Sequence, residues 1–344
     1  MEASKKNGLQ LKGIGRIIEI GNLFVQVKCL YTKLYLYLKR FLSKFLLFWV
    51  AWLFGFLIGL LKLLRPPEWT KSLGNMLIAY IAATSFTGNL DWGLLFWGFL
   101  AVGPLLWGGL YTLNDVVDFE KDQKHDVKKN RPIPSGLVSP NMGFILFMAT
   151  TIAAFAIGFF IIQKPLFILC LAAMLVNQLL YTLKPFELKK KPVMDFVSGS
   201  LVNPFFRFYS GWFLVKEAFN APLELVVFVV AIKFGGYSLY RLASKKHEEE
   251  LNYRSSVVVF GEEKIRSAAY IAIALAGAAY FLATFNGVLP FRYFFLGAAS
   301  LVAFPLYVSA LKNPQEMNMR LVYNLIYANY ALFIIGFVAL AYFR

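Results

Sequence analysis

The sequence predicts an all-α, polytopic membrane protein, and three observations carry that prediction. Hydrophobic residues make up 59% of the 344 and charged residues only 16%, well under the roughly 25% charged of a soluble domain. The apolar residues come in runs of about twenty, the length that crosses a ~30 Å hydrocarbon core. Lys and Arg collect in every second loop between those runs, the pattern of loops held on the cytoplasmic side. The formal charge of +16 therefore reads as loops facing anionic lipid, and not as a nucleic-acid surface.

Nine helices are expected, over 70–88, 93–113, 142–162, 165–184, 193–215, 222–243, 265–286, 289–310 and 320–343. Strand alternation is absent over these lengths, so bonds within each helix must satisfy the backbone in lipid. The loop after the second helix carries Lys121, Lys124, Lys128, Lys129 and Arg131, and the loop after the fourth carries Lys184, Lys189, Lys190 and Lys191. Arg241, Lys245, Lys246, Arg254, Lys264 and Arg266 follow the sixth, and Lys312 and Arg320 the eighth. The opposite loops hold little beyond Lys164, Lys216 and Arg292. A multi-pass protein of the cell membrane, with its basic loops and its site facing the cytoplasm, is the expectation.

Residues 1–64 form a basic extension to the transmembrane domain, 65–344. Nine Lys or Arg and two acids precede residue 45, so crossing the membrane with the apolar stretch 45–61 would carry that arm outside. Lys33, Arg40 and Lys44 share one helical face among apolar residues, which suits an interfacial or re-entrant segment over a tenth span. No small-residue cleavage site follows, so processing is not expected. Cys29, Cys170, His125 and His247 are too dispersed for a zinc site or a disulfide framework.

Chemistry concentrates in residues 114–136, NDVVDFEKDQKHDVKKNRPIPSG. Asn114, Asp118 and Asp122 recur every four residues and fall on one helical face, with Asp115 beside them. Like charges at that spacing repel unless a cation holds them. Hard carboxylate and amide oxygens favour Mg²⁺, which keeps open positions for substrate phosphates. A solvated acidic helix end is the plain alternative. Lys128, Lys129 and Arg131, directly downstream, add the cations that a phosphate would need.

A partial internal repeat lays GGLYTLNDVVDFEKD (108–122) over GGYSLYRLASKKHEE (235–249), unless the shared Gly-Gly is coincidence. Asn114 then falls opposite Arg241, Asp118 opposite Lys245 and Asp122 opposite Glu249, a metal half-site facing a cationic one. Within the spans, Asp195, Asn203 and Arg207 are spaced to share a face, and Lys233 lies in the sixth. Ionisable residues at depth line a cavity or pair with one another. For Arg207 those alternatives are a structural carboxylate partner or a bound phosphate.

These residues resemble the UbiA superfamily of intramembrane prenyltransferases, whose N-D-x-x-D-x-x-x-D motif after the second helix is matched by Asn114, Asp115, Asp118 and Asp122. The superfamily's second aspartate-rich motif, after the sixth helix, is replaced here by YSLYRLASKKHEEE. That stretch is similar to the polyprenyl-phosphate (decaprenyl-phosphate) phosphoribosyltransferase branch, as Tyr237 and Arg241 stand for its Y-x-x-x-K, with Arg for Lys unless Lys245 or Lys246 takes the role. RPPEWTKS (65–72), the run of His125, Lys128, Arg131 and Pro132, and the stretch holding Asp195, Arg207 and Gly211 look like the same branch.

The resemblance implies Mg²⁺-dependent transfer of 5-phosphoribose from phosphoribosyl diphosphate to a polyprenyl phosphate, releasing diphosphate. Asn114, Asp115, Asp118 and Asp122 would be the metal ligands, the three aspartates the catalytic set. Lys71, Lys128, Lys129, Arg131, Arg207, Tyr237, Arg241, Lys245 and Lys246 would bind the two anionic substrates. The alternative is transfer of a prenyl group from prenyl diphosphate to an aromatic or glycerophosphate acceptor. An anion carrier would have no use for the acidic cluster.

Overall fold

The computed structural model describes residues 53–86, 90–124 and 128–342, with scattered positions between 33 and 50. The chain divides into two compact units, Met1–Ile58 and Gly59–Arg344. Of the expected interfacial stretch 45–61, residues 45, 49, 50 and 53–61 are described and helical, whereas most of 1–44 and His125 lie outside the described residues.

Among the described residues the second unit is all helix and loop. Its nine long helices are α1 (Pro66–Ala83), α2 (Trp92–Val117), α3 (Pro140–Ile162), α4 (Pro165–Thr182) and α5 (194–212), then α6 (Leu223–Glu250), α7 (Glu262–Phe285), α8 (Arg292–Lys312) and α9 (Met319–Tyr342). Seven of them are long and apolar enough to cross a membrane. The other two, α1 and α5, carry the polar residues Glu68, Lys71, Asp195, Asn203 and Arg207.

Local chemistry explains the boundaries. Asp91 and Ser139 cap α2 and α3, their side chains accepting from the backbone N–H of Leu94 and Met142. Pro140 and Pro165 open α3 and α4 at the position where a missing N–H costs nothing. Pro104 sits inside α2 within a wide-turn segment, Ala101–Trp107. There the backbone absorbs the bond that proline cannot donate. A second such segment, Val197–Val202, interrupts α5.

Loop contacts sort the two ends of the bundle. At one end Lys164, between α3 and α4, pairs with Glu217 after α5 at 2.7 Å, and Asn286 after α7 donates to Glu224 at the start of α6 at 3.1 Å. At the other, Lys189 after α4 meets Asp118 after α2, and Lys245 of α6 meets Glu262 of α7. The basic loops therefore gather at one end, as the sequence pattern requires.

The core is apolar and aromatic, with Tyr80, Leu106, Phe167, Phe208 and Phe213 fully buried. Large side chains such as Phe160, Ile271, Val302 and Leu332 stay exposed, the surface that lipid rather than water would cover. The α1–α5 crossing is close: a Cβ at Gly211 would lie 2.3 Å from the carbonyl oxygen of Met76. Only glycine fits there, and the contact sets where Arg207, one turn earlier, projects.

Candidate functional site

The acidic motif lies where α2 ends. Asn114, Asp115, Val116 and Val117 close the helix; Asp118 breaks it, and Phe119–Asp122 form one further short turn. Asp115 and Asp122 are buried, and Asp118 nearly so. Buried carboxylates need cations, and three segments supply four of them.

Arg65, immediately before α1, donates to Asp115 Oδ1 at 2.5 Å and lies over the Tyr111 ring. Its φ of 51° is left-handed, an uncommon conformation for a side-chain-bearing residue. Arg131 Nη1 donates to Asp115 Oδ1 and to Asp122 Oδ2, both at 2.9 Å. Lys128 Nζ stands 3.5 Å from Asp122 Oδ1. Lys189 Nζ meets Asp118 Oδ2 at 2.6 Å and Asn114 Oδ1 at 3.5 Å. Asp118 Oδ1 is buried with no hydrogen-bond partner.

No group of three His, Cys, Asp or Glu side chains among the described residues is gathered closely enough to hold a metal. The donor set still fits a hard divalent cation. Two carboxylate oxygens converge on a single charged nitrogen of Arg131, a third is orphaned, and all are the oxygen type that Mg²⁺ takes.

Beneath this cluster, Tyr253 is sandwiched by Lys121 and Lys190, whose ammonium groups lie 5.6 and 5.1 Å from its ring centre. Burial, with Asp118 and Glu187 nearby, pushes its phenol well above the ordinary value. Burial and the adjacent Lys190 lower Lys121.

The end of α6 differs from the cationic half-site expected of it. Arg241 is 3% exposed and already engaged, at 2.6 Å with Glu248 and 3.4 Å with Asp195, and it donates to the Lys189 carbonyl at 3.0 Å. Lys245 pairs with Glu262 at 3.0 Å and Glu249 at 3.6 Å, and Lys246 is exposed. Tyr237 is buried, hydrogen-bonded to Tyr181 at 3.0 Å, with the Arg241 guanidinium over its ring. The two halves share one residue: Lys189 bonds Asp118 through its side chain and Arg241 through its carbonyl.

Deeper in the bundle, Lys71 pairs with Glu68 and lies 5.2 Å from the centre of the Tyr327 ring. Arg207 is 3% exposed and stacks on Trp107 at 3.7 Å. Its other contact is Nη2 to the Tyr111 hydroxyl at 3.5 Å, and its Nε has no partner. The carboxylate partner considered for Arg207 is thus not found among the described residues. Asp195 accepts from Ser256 before the wide turn, whereas Asn203 and Arg207, four residues apart in the regular helix after it, share a face, Asn203 accepting from Asn177 and Arg207 stacking on Trp107. The wide-turn segment Val197–Val202 separates Asp195 from those two.

The structure thus unites Asn114, Asp115, Asp118, Asp122, Lys128 and Arg131, and it leaves Lys246 apart. Lys129, exposed in its short turn, has contacts of its own. Arg65 and Lys189 complete the cluster, and spacing alone did not single them out. Arg65 had a signal in the Arg-Pro-Pro preceding α1, whereas Lys189 had none beyond its charge.

The UbiA prenyltransferase family model matches residues 72–341, nearly all of the transmembrane unit. The chain belongs to the UbiA prenyltransferase family. It is 28% identical over 201 residues to a decaprenyl-phosphate phosphoribosyltransferase of Mycolicibacterium smegmatis, covering 56% of this chain and 57% of that one. It is 26% identical over 214 residues to the bacteriochlorophyll synthase 34 kDa chain of Chloroflexus aurantiacus, covering 61% and 66%. The alignments thus span less than two thirds of either relative. The structure of a UbiA homolog from Archaeoglobus fulgidus bound to GPP and Mg²⁺ superposes with a TM-score of 0.65 at 18% identity, covering 83% of this chain and 98% of that one. That likeness establishes the bundle. No single branch of the family stands out, so the expected phosphoribosyltransferase assignment is not singled out over the prenyltransferases.

Proposed function

We propose that this protein is a Mg²⁺-dependent intramembrane transferase of the UbiA type that moves a prenyl group from a prenyl diphosphate to an acceptor. The observation that carries it is the cluster at the end of α2, where Asp115, Asp118 and Asp122 meet Arg65, Lys128, Arg131 and Lys189 from three other segments. Carboxylates that hold a metal, interleaved with cations that hold phosphate oxygens, are what a metal-diphosphate needs.

Asn114, Asp115, Asp118 and Asp122 would hold the ion. When bound, Mg²⁺ offers Lewis-acid stabilisation of the charge that grows on a departing diphosphate. In the reaction the allylic C–O bond breaks and its electron pair leaves with diphosphate. The acceptor forms the new bond and gives its proton to water. Arg131, Lys128 and Lys189 would meet the negative charge as it develops, in a site shielded from solvent where such contacts are strongest. Arg65 positions Asp115 and, through Tyr111, the top of α1.

The prenyl donor is preferred because the α6 half-site is not an open cationic surface. Arg241 and Lys245 are balanced by Asp195, Glu248, Glu249 and Glu262, so neither is left open to a second phosphorylated substrate. Four of the similar relatives point the same way, among them a digeranylgeranylglyceryl phosphate synthase and two protoheme IX farnesyltransferases. The second reading, transfer of 5-phosphoribose from phosphoribosyl diphosphate to a polyprenyl phosphate, is favoured by 28% identity to two decaprenyl-phosphate phosphoribosyltransferases and by Arg241 beside Tyr237. In both readings the basic loops support a site at the cytoplasmic face of the cell membrane.

Two incubations of purified protein with Mg²⁺ separate the readings, one with labelled prenyl diphosphate and an aromatic acid or glycerophosphate, the other with labelled phosphoribosyl diphosphate and polyprenyl phosphate. Label transferred in the first supports the proposal. Label entering lipid in the second alone reverses it.

A further inference from the structure

At the basic end of the second unit, two loops leave an open groove of about 440 Å³ between them, lined by Lys190, Lys191, Pro192, Asn252 and Arg254. Its volume falls within the range of small-molecule clefts, ~300–1,000 Å³. None of Asn114, Asp115, Asp118 and Asp122 lines it, so it is separate from the acidic cluster. The loop between α4 and α5 gives one wall, and the loop between α6 and α7 gives the other. Their bases are pinned together: Val193 N–H donates to Ser256 Oγ at 2.7 Å, and Ser256 N–H donates to Asp195 Oδ2 at 3.1 Å. Further out, Tyr253 turns in beneath Lys190 while its neighbours Asn252 and Arg254 stay exposed, the alternation of an extended chain.

The cations around this groove are neutralised, and two of those lining it are not. Lys189 is paired with Asp118, Lys190 with Glu187, Arg241 with Asp195 and Glu248, and Lys245 with Glu249 and Glu262. Lys191 and Arg254 have no carboxylate partner among the described residues, and they open onto the same groove from opposite walls. An anion between two such charges turns their repulsion into attraction. Arg254 offers a planar fork, Lys191 a point charge and Asn252 a neutral amide donor, a set suited to phosphate oxygens.

The flanks indicate which phosphate. Each wall continues into exposed apolar side chains, Val193 and Met194 after Lys191, and Val259 and Phe260 after Arg254. Cations bordered by exposed apolar residues match a lipid headgroup above its acyl chains, whereas a free phosphate has no use for the apolar flank. We propose that this groove binds the phosphate of an anionic membrane phospholipid, held by Lys191 and Arg254. The bound lipid bridges the α4–α5 loop, which carries Lys189 to Asp118, and the α6–α7 loop. The proposal goes beyond the transferase reading and does not depend on which group is transferred.

The test is calorimetric titration of the purified full chain in neutral detergent with dihexanoyl phosphatidylglycerol, dihexanoyl phosphatidylcholine and inorganic phosphate. Wild type is compared with two double variants. One carries Lys191→Gln and Arg254→Gln; the other carries Lys312→Gln and Arg320→Gln, an equal loss of charge at the same end outside the groove. All four side chains are exposed, so neither variant disturbs packing. Phosphatidylglycerol should bind wild type and the Lys312/Arg320 variant alike, and the groove variant about 10-fold or more weakly, the loss expected on removing charge-assisted contacts. Phosphatidylcholine and inorganic phosphate should bind wild type more weakly than phosphatidylglycerol does. Equal phosphatidylglycerol affinity in wild type and the groove variant, an equal loss in both variants, or no binding to wild type overturns the site. Inorganic phosphate or phosphatidylcholine binding wild type as tightly as phosphatidylglycerol overturns the assignment to anionic lipid. No arm needs turnover, so failure of the labelled-donor incubations would remove the transferase reading without touching this result.

Discussion

On the proposed reading, Asp118 bears on catalysis and stability at once. Its Oδ2 holds Lys189, whose side chain is only 8% exposed, and its Oδ1 is buried and unpartnered. Asp118→Asn keeps the volume and one acceptor, so turnover should fall on the order of 10³-fold or more while the melting temperature changes little. Asp118→Ala should add a stability loss, since Lys189 then stays buried with only Asn114 near. Retained turnover in Asp118→Asn under the same Mg²⁺ requirement would place the metal elsewhere. Arg241 behaves differently. Asp195 and Glu248 are both almost fully buried against it, and removing one partner of a buried pair costs about 3–5 kcal/mol. Arg241→Met should therefore lower thermal stability strongly, with Arg241→Lys recovering part of the loss. A change confined to a substrate's KM would instead mean that Arg241 contacts substrate. At this scale the acidic motif was legible because its four residues lie within nine positions and one helical repeat relates them. Arg65 and Lys189 were not, since they reach Asp115 and Asp118 from 50 and 71 residues away.

Helix boundaries followed hydropathy, proline and capping residues, all local signals, so the nine elements were readable in order. Side-chain direction along α5 was not. Asp195, before the wide turn Val197–Val202, meets Ser256, while Asn203, after it, meets Asn177. Nothing in the composition of VSGSLV announces that turn. The α1–α5 crossing gives this helix its fixed point. A methyl at Gly211 would stand 2.3 Å from the Met76 carbonyl oxygen and 2.6 Å from its Cα, both backbone atoms that cannot rotate away. Gly211→Ala should thus destabilise by about 1–3 kcal/mol and displace Arg207, which follows the same helix. Gly236→Ala in α6 meets nothing within 4 Å and should leave the melting temperature unchanged or slightly raised. Thermal unfolding of both variants in detergent compares the crossing with an open helical surface. Equal behaviour would mean that α1 and α5 are free to separate.

Across the whole molecule, charge asymmetry and helix count support one topology. Lys164 with Glu217, and Asn286 with Glu224, tie together loops at one end. Lys189 with Asp118, Lys245 with Glu262, and Arg266 with the Leu311 carbonyl tie together the other. The second end carries the basic loops, and anionic lipid on the cytoplasmic leaflet attracts such residues by about 1 kcal/mol each. The acidic cluster belongs to that end; on the proposed reading it would draw Mg²⁺ from the cytoplasm, while the exposed apolar flanks would admit the donor's isoprenoid tail from the bilayer. Single cysteines placed at Lys246 and Asn286, both exposed at opposite ends, read this orientation directly once Cys29 is replaced; Cys170 is buried. In intact cells a membrane-impermeant maleimide should label Asn286→Cys and spare Lys246→Cys until the membrane is opened. Labelling of Lys246→Cys from outside would invert the bundle and put the carboxylate cluster on the side where the charge pattern says it cannot be.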